Sequence, residues 1–257
     1  MALTFSSLNK GARVARALAW IGLVVAIASG VAELLAGLGY RWGWWHFRTG
    51  LSIMRWAATT DLAAVLLTLL ATGLALKFGA RRIALLAVRG LVLSLIVGGP
   101  PLYLYREVNS VPRIHDISTD TDNPPRFVAV LPSRKGVENS TDYSAEVAQL
   151  QKRGYPEIAP AMLDVAPLPA LQRAERAVRA MGWEIVAVAP ADGRIEATDT
   201  TLLFGFKDDV VIRVTPNGAG SRVDVRSLSR VGRSDFGTNA KRIRLFMQQL
   251  EAAKAGG

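Results

Sequence analysis

Three apolar stretches in the first hundred or so residues, about 17–38, 53–76 and 83–105, constrain this chain more than any other feature. Each is long enough to cross a hydrocarbon core that needs roughly 20 helical residues. Inside lipid a span must satisfy its own backbone, which a helix does. Residues 1–106 are therefore expected to form a transmembrane domain of three helices. The first span is expected to be retained, because no clear small-residue cleavage site follows it. Residues 107–257 carry nearly all the acids and a strand-like alternation, so a separate domain is expected there.

Orientation follows from basic residues in short loops. Lys10, Arg13 and Arg16 precede the first span, and Lys77, Arg81 and Arg82 separate the second and third; Arg41, Arg48 and Arg55 occupy the other side. The bias predicts a cytoplasmic N-terminus, and three crossings then put the C-terminal domain outside the cytoplasm. The loop Tyr40–Arg48 sets three tryptophans beside cations, the composition of a headgroup belt. Glu33, Asp61 and Arg89 are ionisable groups within the spans, where such residues suggest function or helix contact. Their heights along the helices do not suggest a simple carboxylate–arginine pair.

The net charge is +10, but no run of five basic residues occurs, so membrane lipid is the expected partner and nucleic acid is not. There is no cysteine, which excludes disulfides, a thiolate nucleophile and cysteine metal ligands. Pro100, Pro101 and Pro112 predict the end of the third helix and the start of a connector. That connector holds His115-Asp116, the only adjacent histidine–carboxylate pair, with Asp120 and Asp122 nearby. A single histidine with loop aspartates lacks the ligand set of a zinc or EF-hand site, so neither a metal nor another cofactor is expected.

Downstream, a short helix is predicted over residues 144–153 and an extended strap over 155–160. An amphipathic helix from Leu168, with Leu171, Ala174, Val178 and Met181 on one face, is predicted to stop at Gly182. Strand patterns follow over 183–189, 194–200, 202–206, 210–215 and 222–227, with hairpin signals at Asp192-Gly193 and Asn217-Gly218. In the last strand Val223 and Val225 alternate with Arg222, Asp224 and Arg226, predicting one buried and one charged, open face. A closing helix carries Ile243, Phe246, Met247 and Leu250 toward the sheet. The fold class read from these patterns is an α+β domain, an antiparallel meander flanked by helices, attached to an N-terminal three-helix transmembrane bundle.

The bend between the last strand and the closing helix is the candidate site. Arg226, Ser229, Arg230, Arg233, Ser234 and Asn239 are expected to gather at a sheet edge beside a helix N-terminus, a combination suited to an anion.

Arg113–Phe127, Gly182-Trp-Glu-Ile185, Gly205–Arg213 and Val223–Ile243 closely resemble the domain-of-unknown-function family 1499, over roughly residues 107–252. The resemblance implies a bacterial-envelope or chloroplast setting and no agreed activity. Taken together, the expected protein is multi-pass in a bacterial inner membrane, with a periplasmic domain. That domain is read as a non-enzymatic binding or accessory module for an anionic ligand, a lipid headgroup or an envelope protein complex. Two rivals remain: an envelope hydrolase or lipid-modifying enzyme using His115-Asp116 as an acid–base pair, and a small-solute transport component.

Overall fold

The computed structural model of the chain describes residues 10–252. Two compact units are present: one runs to Arg106 and includes Leu203–Gly205, and the other comprises Glu107–Leu202 and the residues from Phe206 onward.

The first unit consists of α1 (Lys10–Arg41), α2 (Phe47–Lys77) and α3 (Arg81–Ser110), all long and apolar enough to cross a membrane. They pack through small side chains: Ala15, Ala75 and Ala84 form one buried layer, and Ala19, Ala71 and Ala87 another. Lipid tails are as apolar as leucine, so close backbone approach, not expulsion of water, holds such helices together. Large side chains such as Leu66, Leu70, Leu95 and Ile96 point outward. Trp42 and Trp44 are also exposed, while Trp45 Nε1 donates to the Ala36 carbonyl at 3.1 Å.

Pro100 and Pro101 do not end the third helix as expected; α3 continues through them to Ser110. Two prolines remove two backbone donors, but their fixed φ is already helical. Unwinding in hydrocarbon would leave many more groups unpaired.

The second unit is built on a sheet of six strands, with β1 (Asp116–Ser118), β2 (Ala161–Leu163), β3 (Glu184–Ala189), β4 (Arg194–Thr200), β5 (Lys207–Asn217) and β6 (Gly220–Ser229). Helix α4 (Ala145–Gly154) precedes β2, α5 (Pro167–Ala180) precedes β3, and α6 (Thr238–Ala252) follows β6. The meander is as expected: β3 to β6 pair consecutively and antiparallel. At the β4–β5 register, Gly193 has φ +59, and a Cβ there would lie 2.2 Å from the Val214 carbonyl oxygen, so only glycine fits.

Three strand expectations are corrected. Residues 202–206 form a turn and not a strand. The chain expected to be a connector supplies β1, and a segment expected to be loop supplies β2; they pair end to end along the outer edge of β6, at Arg226–Leu228 and Ser221–Val223 respectively. Three-residue strands carry too little alternation to be seen in sequence. As a result β6, expected at the sheet edge, is an interior strand.

One face of the sheet packs on α5 and α6. Ile195, Ala197, Val210, Ile212, Val214, Val223 and Val225 meet Leu171, Ala174, Val178, Ile243, Phe246 and Leu250, and the rings of Trp183 and Phe246 stack at 5.8 Å. Arg173, outside the apolar face predicted for α5, is buried, and its Nε donates to the Leu250 carbonyl at 2.7 Å, tying down the end of α6. The opposite face, expected to be open, is covered by the chain between β1 and α4. There Phe127 and Val130 pack on Val211 and Leu228, above the charged residues Glu196, Asp209, Asp224 and Arg226, all buried.

Candidate functional site

Burying charge is tolerated when each charge is paired and hydrogen-bonded, and the covered face meets that condition residue by residue. Arg226 Nε and Nη2 donate to the two carboxylate oxygens of Asp116 at 2.9 and 2.7 Å. Its remaining donors reach the carbonyls of Thr141 at 2.6 Å and Pro125 at 3.2 Å. The guanidinium lies between the rings of Phe127 and Tyr143, 5.1 and 5.3 Å from their centroids. Asp209 receives Arg230 through Nε and Nη2 at 2.9 and 2.8 Å, Arg134 Nη1 at 2.5 Å and Thr198 Oγ1 at 2.8 Å. Burial by itself would raise the Asp209 carboxyl; the hydrogen bonds from Arg230, Thr198 and Arg134 outweigh it and hold it below the usual range. Asp224 receives Arg213 and Arg222.

Glu196 pairs with Arg194, whose Nε lies 2.9 Å from it, and backbone donors hold it as well. Its carboxylate accepts the backbone N–H groups of Val128, Ala129 and Val130 at 2.9–3.1 Å, at the entry to a 3₁₀ turn over Leu131–Arg134. Successive amides of this kind form an anion cradle, and here the anion is the protein's own side chain.

On the helical face, the β6–α6 bend is similarly tied. Asn239 Nδ2 donates to the His115 carbonyl at 2.9 Å and to Ser229 Oγ at 3.0 Å, while its Oδ1 accepts Ser227 Oγ at 2.7 Å and Arg242 Nη1. Arg242 also pairs with Asp199 and Asp208. Asp235 caps the start of α6, accepting from the N–H of Gly237 and of Asn239 at 2.8 Å each. Phe236, at φ +55, is the non-glycine residue with positive φ among the described residues, and such backbone strain concentrates where surroundings enforce it.

The candidate residues therefore separate. Arg226, Ser229 and Asn239 are buried with their polar groups engaged internally, and Arg230 is tied to Asp209 near the surface. Ser234 Oγ accepts the Phe236 N–H at 3.3 Å. Arg233 is exposed and has no ion pair among the described residues. Arg226 is thus engaged by Asp116 and Arg230 by Asp209, and of the three arginines of the bend Arg233 is without an ion pair among the described residues.

His115-Asp116 is not arranged as an acid–base dyad. Both Asp116 oxygens are engaged by Arg226, and the His115 carbonyl serves Ser229 N–H and Asn239. Among the described residues no group of three or more histidine, cysteine or acidic side chains is placed to hold a metal. In the spans, Asp61 is buried and Glu33 half-buried, whereas Arg89 is exposed and pairs with neither.

Residues 116–250, more than half of the 257-residue chain, match the family described as "Protein of unknown function (DUF1499)". The chain belongs to this family. No curated protein matches it. The DUF1499 region begins at the first residue of β1 and ends within α6, so it contains the whole sheet, the covering segment and the bend, and leaves out the three apolar helices.

Asp235 makes the bend sensitive to pH. Burial raises its carboxyl to about 6, against the opposing hydrogen bonds from Asn239 and Gly237. A raised value means that the folded state holds the proton more tightly than the unfolded chain. Its contribution is thus greatest below pH ~4 and is lost as pH rises through about 6, a difference on the order of 2–3 kcal/mol. Denaturation midpoints of the full-length protein and Asp235→Asn, followed from pH 4 to 7, are expected to converge toward acid and diverge toward neutral pH, with the asparagine variant the more stable at pH 7.

Proposed function

We propose that this DUF1499 protein is a membrane-anchored binding module whose soluble domain lies on the extracytoplasmic side and engages an anionic group through the β6–α6 bend. The supporting observation is the contrast within the bend. The arginines behind it are neutralised by buried acids, while Arg233 faces solvent unpaired, beside the strained Phe236. Two further cations are exposed in elements bordering the bend: Lys207, whose carbonyl accepts the Arg230 N–H at 3.0 Å, and Lys241 in the first turn of α6. A rigid internal ion network beneath an unneutralised cationic rim suits recognition of a phosphate or carboxylate, with specificity fixed by the scaffold below. The sidedness rests on the loop charges given above.

Arg233→Glu separates binding from folding. Because the side chain is exposed and unpaired, thermal stability is expected to stay within ~0.5 kcal/mol of the parent. Native mass spectrometry of both full-length proteins, gently solubilised from membranes, is expected to show an anionic lipid or acidic protein retained at least tenfold less by the variant. Equal retention in a stably folded variant removes the bend from consideration.

A further inference from the structure

The three-helix unit contains a second constellation, independent of the bend. Contacts of glycines fix the relative heights of the helices. A Cβ at Gly22 would touch Thr68, one at Gly30 would touch Val97, and one at Gly98 would lie 3.0 Å from Asp61 Oδ2. Ser29 and Glu33 on α1, Asp61 on α2 and the Ser94–Gly98 turn of α3 therefore share one layer, and Glu33 is close enough to Asp61 for their charges to interact. Ser29, Asp61 and Ser94 are only 3%, 1% and 0% exposed, so they face the bundle interior.

Their polar atoms have no partners. Ser29 Oγ, Glu33 Oε1, Asp61 Oδ1 and Ser94 Oγ make up half of the eight buried side-chain nitrogen and oxygen atoms without a hydrogen bond among the described residues. The contrast with the neighbouring threonines is informative. Thr68 and Thr72 donate to the carbonyls of Ala64 and Thr68 at 2.8 and 2.7 Å, the usual way a helix absorbs a hydroxyl. Ser29 and Ser94 do not. Ser94 lies beside Asp61, Ser29 Oγ and Glu33 Oε1 remain without a hydrogen bond, and an oxygen left so in hydrocarbon is expensive.

Two carboxylates in this layer call for two positive charges, and Arg89, which is exposed, supplies neither. We propose that Ser29, Glu33, Asp61 and Ser94 form an intramembrane site for a hard, oxygen-liganded cation. Carboxylate and hydroxyl oxygens are the donor set of alkali and alkaline-earth ions, not of softer metals. Neutrality is reached by one divalent ion or by one monovalent ion together with a proton. Glu33 comes from α1 and Asp61 from α2, and α3 contributes the hydroxyl of Ser94.

The test uses the full-length protein in nanodiscs at constant ionic strength, with choline as the balancing cation. Thermal midpoints are read at pH 8 against sodium, potassium, magnesium and calcium chlorides, and stoichiometry is read by equilibrium dialysis with radioactive sodium or calcium. One of these ions is expected to raise the midpoint by several degrees, as binding to the folded state alone requires, with one ion bound per chain. Sodium or potassium identifies the monovalent ion with its proton, and magnesium or calcium the divalent form. Glu33→Gln and Asp61→Asn keep shape while removing charge, and both are expected to abolish the shift. Ser94→Ala is expected to weaken it at least tenfold without altering the midpoint in choline. No ion-specific shift in the parent, or an undiminished shift in Asp61→Asn, overturns the proposal; if either charge-removing variant fails to fold, the dialysis of parent against Ser94→Ala decides.

Discussion

Arg226→Ala is expected to destabilise the soluble domain by about 3–5 kcal/mol, the cost of leaving a buried carboxylate without its partner. Nothing nearby replaces the guanidinium: Asp116 is buried, and both its oxygens are engaged by this one side chain. The loss extends further, because Arg226 also holds the carbonyls of Pro125 and Thr141 and fills the space between Phe127 and Tyr143. Thermal denaturation and limited proteolysis of the full-length protein measure the effect, with cleavage expected first between β1 and α4. The double variant Asp116→Ala with Arg226→Met is expected to be less damaged than Arg226→Ala alone, since an apolar replacement of the pair leaves no orphaned charge. A double variant as unstable as the single one would show that packing between the rings, not charge, dominates.

The second large effect is expected at Glu196. Glu196→Gln offers an amide N–H₂ where backbone donors already converge, so at least one of the Val128, Ala129 and Val130 amides loses its acceptor. Each buried amide left unpaired costs roughly 1–3 kcal/mol, and the lost charge adds to it. We expect a total of about 2–4 kcal/mol. Hydrogen exchange at those three amides, slow in the parent, is expected to accelerate by at least tenfold while the exchange of β5 stays slow. Unchanged protection would mean that the covering segment is held by Phe127 and Val130 alone.

Much of the architecture is legible in the residues because hydrophobic periodicity is a local signal. The three spans, the meander from β3 to β6 and the inward stripe of α6 all repeat within a few turns or pleats. What is hidden is long-range. Arg226 and Asp116 lie 110 positions apart, and alternation along β6 says only that Asp224 and Arg226 share a face, not that another segment covers it. Arg213 and Asp224 sit directly opposite across the β5–β6 ladder, a pairing that register reveals and composition does not. The turn at 202–206 shows the opposite failure, since Leu202, Leu203, Phe204 and Phe206 give a strand-like run with no strand to pair. For the bend, sequence shows Arg226, Arg230 and Arg233 and the nearby Asp208, Asp209, Asp224 and Asp235, but not that Asp116 engages Arg226.

The pairing of β1 and β2 with β6 also orders events during synthesis. These two short strands leave the ribosome well before the strand that receives them, and neither has another neighbour in the sheet. Closing such a large loop comes late, after most local structure has formed. The segment destined to roof over the ionic layer must therefore wait, uncommitted, until β6 has been made.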